Sequence, residues 1–268
     1  MLAYAMGKAI GATPGVPRLL HAKTGWRIAA ALLLAALPIW ALGRFTDIDL
    51  VLADALYDSA SGTFPWRDAW LTDLAAHRML KSVLALLAAA AIAAAIGDAI
   101  RPYTDRPLAR LRLRIVACSA VMVPLAISLL KQSSNAHCPW DLARYGGSAP
   151  YARLFAALPP GALPGHCLPA GHASSALWLI ALAVLWLPHQ PRNAARAAGA
   201  AIAFGLAVGW MQQMRGAHFL THTLWSTWIA SVIVLALAMV LQALAKTPQP
   251  DIRSPKQVAA TPGSGLKN

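Results

Sequence analysis

The chain contains no glutamate, so all ten of its acidic side chains are aspartates. Charge of either sign is scarce, 12% of 268 residues, beside 58% hydrophobic side chains. That balance excludes a soluble domain, which has no use for so much apolar surface. Several apolar runs reach the roughly 18–20 residues needed to cross a bilayer as a helix. The first run begins too far in, and is too long, for a cleaved signal peptide, so it belongs to the fold. No internal repeat is present, and beyond a mild Pro/Lys bias in the tail nothing is of low complexity. The net charge is +13, but no basic stripe or patch of the kind that grips nucleic acid exists, and that partner is excluded. Cysteine is limited to three positions. Cys118 lies inside an apolar run and reads as a small buried hydrophobe. Cys138 and Cys167 share one long loop and form a disulfide if that loop faces an oxidising compartment. Their spacing alone does not establish that they meet.

What is present fits an all-α fold, an integral membrane bundle of six transmembrane helices. The apolar runs place them at about 26–43, 79–99, 112–131, 170–187, 194–214 and 222–245, with Gly, Pro or charge at every junction. The membrane domain spans 26–245, and residues 1–25 and 246–268 read as disordered terminal segments. Basic residues gather in alternate loops: Lys8, Arg18, Lys23 and Arg27; Arg101, Arg106, Arg110, Arg112 and Arg114; Arg192 and Arg196; Lys246, Arg253 and Lys256. By the positive-inside rule these faces, with both termini, are cytoplasmic. The first outer loop holds Asp47, Asp49, Asp54, Asp58, Asp68 and Asp73, and it shares its side with the long loop at about 132–169 and the short loop before 222. Within that first loop the string Phe64 to Leu71 reads as an interfacial segment of the aromatic belt.

Chemistry-bearing residues collect at the outer ends of the helices. Lys131 closes the third run. Pro169-Ala170-Gly171-His172 opens the fourth, with proline suited to a helix's first turn and free amides that attract anions. Arg215 closes the fifth run, and His218 and His222 follow within one turn. Each residue has a plainer reading taken singly, as a snorkelling lysine or an interfacial histidine. Their joint occurrence on one side points to phosphoryl transfer, which needs positive charge around the equatorial oxygens, an in-line nucleophile and an acid for the leaving group. His218 and His222 have metal-ligand spacing if helical, but His218 lies in a turn and no nearby carboxylate or cysteine completes a set. No metal or other cofactor is expected.

At these residues the chain resembles the type 2 phosphatidic acid phosphatase superfamily, the lipid phosphate phosphatases, whose signature is K-x6-R-P, P-S-G-H and S-R-x5-H-x3-D. The resemblance spans roughly 79–245 and implies a six-helix membrane phosphatase of a divergent bacterial branch. Lys131 matches the first lysine, but Cys138-Pro139 stands where the family has Arg-Pro, leaving Arg144 as the nearest substitute. Pro169, Gly171 and His172 match the second motif, with Ala170 in place of serine. Arg215 matches the third-motif arginine, with Met214 in place of serine. Six residues separate it from His222 instead of five, and Ser226 stands where the aspartate belongs. The resemblance implies that His222 attacks phosphorus and His172 protonates the leaving oxygen. Lys131, Arg215, Arg144 and the backbone at Ala170 and Gly171 hold the phosphoryl group. Asp141 is the candidate carboxylate for orienting an imidazole, and His218 and Ser226 are accessory.

The expected activity is hydrolysis of a phosphate monoester or pyrophosphate on a lipid, through a phospho-histidine, at the outer face of a bacterial inner membrane. Lipid-to-lipid phosphotransfer uses the same site, and a non-catalytic lipid-binding protein keeps the same fold. The sequence does not name the lipid or the oligomeric state.

Overall fold

The computed structural model describes residues 18–102 and 105–245. Its elements are helical: α1 (Ala22–Phe45), α2 (Ile48–Leu56), α3 (Leu80–Ile100), α4 (Pro107–Gln132), α5 (Gly171–Leu177), α6 (Pro191–Met214) and α7 (Leu220–Leu244). A π-helical segment, Leu71–Met79, leads into α3, and a 3-10 stretch, Trp178–Trp186, prolongs α5. Among the described residues the only β pairing is two isolated bridges, Asp58 with Thr63 and Leu142 with Ala149. Proline opens α4 and α6, at Pro107 and Pro191, where the missing N–H has no intrahelical partner to lose.

Five helices, α1, α3, α4, α6 and α7, are each long and apolar enough to cross a membrane. The run expected at about 170–187 differs: Gly171–Trp186 is shorter and changes winding after Leu177. Pro169 and Pro188 bracket it. The tighter 3-10 winding rises ~2.0 Å per residue against ~1.5 Å in an α-helix, so the whole run reaches roughly 28 Å, close to the ~30 Å of a hydrocarbon core.

Helix α7 is central and packs against α1, α4, α5 and α6. Ile115, Val123 and Ile127 of α4 meet Leu177, Trp178, Ala181 and Ala230 in the buried core. Two glycines let α6 come close: a Cβ on Gly205 would meet Leu177 at 2.3 Å, and one on Gly209 would meet Thr223 at 2.1 Å. The outer surface is apolar, with Leu33, Leu34 and Leu37 on α1 and Leu86 and Leu87 on α3 exposed, a face that lipid solvates and water does not.

The two ends of the bundle differ. At one, Asp98 is fully buried and pairs with Arg110 (2.8 Å) and Arg114 (3.5 Å), and Arg112 donates to the Leu187 carbonyl. At the other end, segments 46–79, 133–170 and 215–219 meet. Arg144 is bidentate on Asp54, Trp140 N–H donates to Gly216 O, and Leu154 N–H donates to Gly43 O.

Two expectations need correction. Residues 18–25 are not a disordered segment: Leu19 is buried, and Leu20 exchanges two hydrogen bonds with Gln242, because an amide side chain at the end of α7 offers both donor and acceptor. The rest of that segment and the tail from 246 lie outside the described residues. Phe64 is also not an interfacial aromatic. It is 3% exposed and stacks edge-on with Tyr57 and Tyr145, whereas Trp66 and Trp70 are exposed as a belt requires.

Gly209→Ala should therefore lower stability by about 1–3 kcal/mol, since the added methyl meets the buried, β-branched Thr223 and neither partner can move aside. Thermal unfolding in detergent measures the loss, and an unchanged midpoint would contradict this packing.

Candidate active site

The site begins at the N-terminus of α7. No local side chain caps this helix, so its first donors need acceptors from elsewhere. Asp49 of α2 supplies them: Oδ1 accepts from Thr221 N–H at 3.0 Å and Oδ2 accepts from the Thr221 hydroxyl. Burial raises the Asp49 pKa, and the Thr221 hydrogen bonds partly oppose it. One residue further on is His222, 3% exposed. Its carbonyl accepts from Ala170 N–H (3.2 Å) and from the Ser226 hydroxyl (2.9 Å), which also reaches Ala170 O (3.1 Å). Ser226 thus clamps main chain and does not orient an imidazole.

The turn from α6 to α7 sets His218. Gly216 has φ +72°, and a Cβ there would meet the Phe64 ring at 2.4 Å, so conformation and close approach both require glycine. The second loop is held by a short ladder: Gly165 N–H to Asn135 O, His166 N–H to Ser134 O and Cys167 N–H to Ala136 O. Cys138 and Cys167 are joined by a disulfide, with Cα atoms 5.3 Å apart. Cys167 Sγ lies 3.3 Å from His218 Nδ1 and 3.3 Å from the Ala217 carbonyl.

These ties assemble three imidazoles. The His218 ring centroid is 5.9 Å from that of His172 and 5.9 Å from that of His222, so His218 is the middle member. Lys131, at the end of α4, lies within electrostatic reach of His218 and His222. Burial holds the His218 pKa well below the ordinary imidazole value. The neighbouring His222, His172 and Lys131 push the same way, and the Cys167 carbonyl opposes them. His218 is therefore neutral at pH 7. His222 Nδ1 is buried with no hydrogen-bond partner among the described residues.

The other anticipated residues are distributed differently. Arg215 is 7% exposed, and its guanidinium is engaged three ways: Nη2 with Asp73 Oδ1 (2.8 Å), Nε with Arg67 O (2.9 Å) and Nη1 with Gln212 Oε1 (3.2 Å). Arg144 does not reach the imidazoles, because Asp54 takes both arms of its fork. Asp141 carries no hydrogen bond or ion pair to an imidazole among the described residues; its main chain instead bonds Ala149 N–H and Cys138 O. Ala170 N–H is occupied by His222 O, which removes it as a phosphate donor. Gly171 opens α5 with nothing within 4 Å of where a Cβ would stand.

Residues not anticipated now stand out. Gln212 is 1% exposed, and its Nε2 is a buried donor without a partner among the described residues. Its signal was in the sequence. Counted from His218, the spacing x5 runs back to Gln212 and x3 runs forward to His222, the spacing of R-x5-H-x3-D with glutamine and histidine in the outer places. Asp49 was visible only as one of six outer aspartates, and nothing in sequence links it to α7.

Two cavities adjoin the cluster. A small one, with room for about one water, is lined by His222, Asp49, His137, Tyr151 and Thr221. Burial raises the Tyr151 pKa to about 12, so its hydroxyl keeps its proton. A larger cavity of 490 Å³ shares Ala136 and Ala152 with it and is lined by Trp225, Trp228, Phe155 and Pro169. Among the described residues, one group of donor atoms has metal-ligand proximity, Cys138, Cys167 and His218 within 4.8 Å. Its sulfurs are bonded to each other and offer no thiolate.

A family model described as the PAP2 superfamily matches residues 112–246, about half of the chain, from α4 through α7. No curated protein and no solved structure matches.

Asp73→Ala should leave the buried Arg215 guanidinium without its carboxylate. The expected loss is about 2–3 kcal/mol, below the value for a fully buried pair because Asp73 is partly exposed. The thermal midpoint should fall, and Asp73→Ala combined with Arg215→Met should recover part of it. A single variant as stable as the parent would show that the pair carries no such load.

Proposed function

The chain belongs to the PAP2 superfamily, and from that membership and its three-imidazole cluster we propose that it is a membrane phosphatase acting on a lipid-borne phosphate monoester or pyrophosphate. Phosphatase-type chemistry on phosphate esters goes with the family. The lipid is supported by the apolar exterior and by the 490 Å³ aromatic-lined cavity that abuts Pro169. The proposed topology is six spans in a bacterial inner membrane, with both termini cytoplasmic and the site periplasmic. It is supported by the aspartate-rich site end and the arginine-rich opposite end.

The observation that carries the mechanism is the central place of His218. With Nδ1 against Cys167, its Nε2 attacks phosphorus, the bond from phosphorus to the lipid oxygen breaks, and His172 gives that oxygen a proton. Water then attacks the phospho-histidine, His172 takes a proton from it, and phosphate leaves. Lys131 offsets charge on the equatorial oxygens, and Gln212 Nε2 donates to one of them. Arg215 acts through Gln212, whose amide it orients. His222 takes the place of the family's aspartate. No step requires a metal ion. Counting from Arg215 gives the attack to His222 instead, and the unpartnered Nδ1 of that residue supports this second reading.

Mapping the phospho-histidine after rapid quench decides between them: label on His218 supports the first assignment, and label on His222 the second. His218→Ala should lower phosphate release by at least ~10³-fold, and His172→Ala by about 10²–10⁴-fold, the usual range for a general acid. Parent-like release in both variants would end the roles given to His218 and His172. Label passing from one lipid to another would show transfer, and binding without turnover would show a non-catalytic lipid-binding protein.

The depressed His218 pKa also has a sign. The native ring stays neutral where the unfolded ring, with a pKa of about 6.5, takes up a proton. Its contribution to stability is full above pH 6.5 and is lost progressively as pH falls toward the folded value. The parent's thermal midpoint should drop more than that of His218→Gln between pH 7.5 and 5. Parallel profiles would contradict the burial argument.

A further inference from the structure

The proposed reaction does not by itself require a disulfide against one of its imidazoles. The Cys138–Cys167 bond ties the loop after α4 to the segment before α5, and it does so with Cys167 fully buried and its sulfur 3.3 Å from His218 Nδ1. A disulfide sulfur carries no hydrogen and can only accept. A thiol sulfur in the same place can donate, to His218 Nδ1 or to the Ala217 carbonyl 3.3 Å away. The Cys167 carbonyl also faces His218 and also only accepts. A neutral imidazole bears its proton on one nitrogen, and the partner of one nitrogen decides the state of the other.

We propose that the Cys138–Cys167 disulfide is a positioning element for phosphoryl transfer: it holds His218 in the Nδ1–H tautomer, leaving the Nε2 lone pair for phosphorus, and reduction releases that hold. The assignment rests on the reading of His218 as the attacking group. In the oxidised protein the neighbour at Nδ1, the Cys167 sulfur, can only accept, so the proton belongs on Nδ1. After reduction the S–S bond is replaced by two S–H groups. Two electrons and two protons come from a dithiol reductant, which closes its own disulfide. Cys167 S–H then donates to Nδ1, which moves the imidazole proton to Nε2 and removes the attacking lone pair from part of the population. The loop 133–138 also loses its covalent tie, although the three-bond ladder to 165–167 remains. A site of this kind gains full activity only in an oxidising compartment.

The experiment uses full-length protein in detergent, labelled with ¹⁵N-histidine, before and after treatment with dithiothreitol and after reoxidation. A chelator is present throughout, because reduced Cys138 and Cys167 with His218 would form a three-donor set. The His218 signals, assigned with His218→Gln, should show Nδ1 protonated in the oxidised protein and a shift toward Nε2–H on reduction. In parallel, kcat for phosphate release from a panel of lipid phosphates should fall at least tenfold on reduction, with KM within about twofold, and recover on reoxidation. Loss of a histidine tautomer alone has cost as much as ~10⁴ in kcat in an enzyme of another class. Cys138→Ala, which leaves Cys167 as a thiol, should behave as the reduced protein does. An unchanged tautomer overturns the proposal, even if activity is lost, because the disulfide is then merely structural. Full kcat after complete reduction also overturns it. If the oxidised protein releases no phosphate from any lipid, the functional reading fails, and the tautomer arm still decides whether the disulfide sets the imidazole.

Discussion

The first turn of α7 cannot satisfy its own backbone, and most of the site follows from how that is resolved. A helix start buried in an apolar bundle has no water to take its donors. Asp49 reaches across from α2 to accept from Thr221, which fixes α2 on the bundle. The carbonyl of His222 and the hydroxyl of Ser226 hold Ala170, which fixes the segment leading to His172. His218 immediately precedes the same turn. Displacing it would move all three imidazoles relative to one another, so main-chain satisfaction and the geometry of the imidazole cluster are one problem here.

The outer loops serve that turn. Gly216 is pressed under Phe64, and Phe64 sits in a ring cluster with Tyr57 and Tyr145. Tyr145 donates to Asp54, which also holds Arg144. The exposed ion pair would count for little alone. Its place is at the edge of an aromatic plug that keeps the α6–α7 turn closed. The disulfide and the ladder beside it close the cluster from the other side. This covered end differs from a bare set of helix tips, where side chains would be free to snorkel.

Five apolar helices were legible because bilayer thickness sets their length and composition. Their ends fell within a few residues of the expected positions. The run after Pro169 was legible as apolar, but not in its winding, since 3-10 and α stretches share one pattern of side chains at this length. Lys131, His172, Arg215 and His222 are legible as a group because alternation of spans places them on one side, with His218 legible only as an accessory. Their order is not. Arg215 is the arginine nearest His222 in sequence and sets one register; Gln212, a neutral residue, hides the alternative spacing. Arg144 and Asp141 lie near the first motif in sequence, but pairing partners from the first outer loop, such as Asp54, cannot be read from local spacing. Asp49 illustrates the same limit, because its role lies in a contact between α2 and α7.

Counted from His218, the chain lacks both motif arginines and the aspartate of the family's pattern, which reads as a loss of phosphate affinity, but burial changes the arithmetic. A charge interaction at a few ångströms grows several-fold as the effective dielectric falls from water toward a protein interior. In the proposed site one lysine then has the part that several cations have in an open one. Keeping a second cation unpaired there would be costly, and Arg215 is indeed held by Asp73. Neutral groups carry no such penalty while the site is empty: Gln212 Nε2 and a neutral His218 wait without a buried charge. Under the proposed function the substrate brings the negative charge with it, and Gln212 Nε2 is a donor left over to receive it. A site built this way depends on remaining closed, which is why its loops are bolted and its helix turn is clamped.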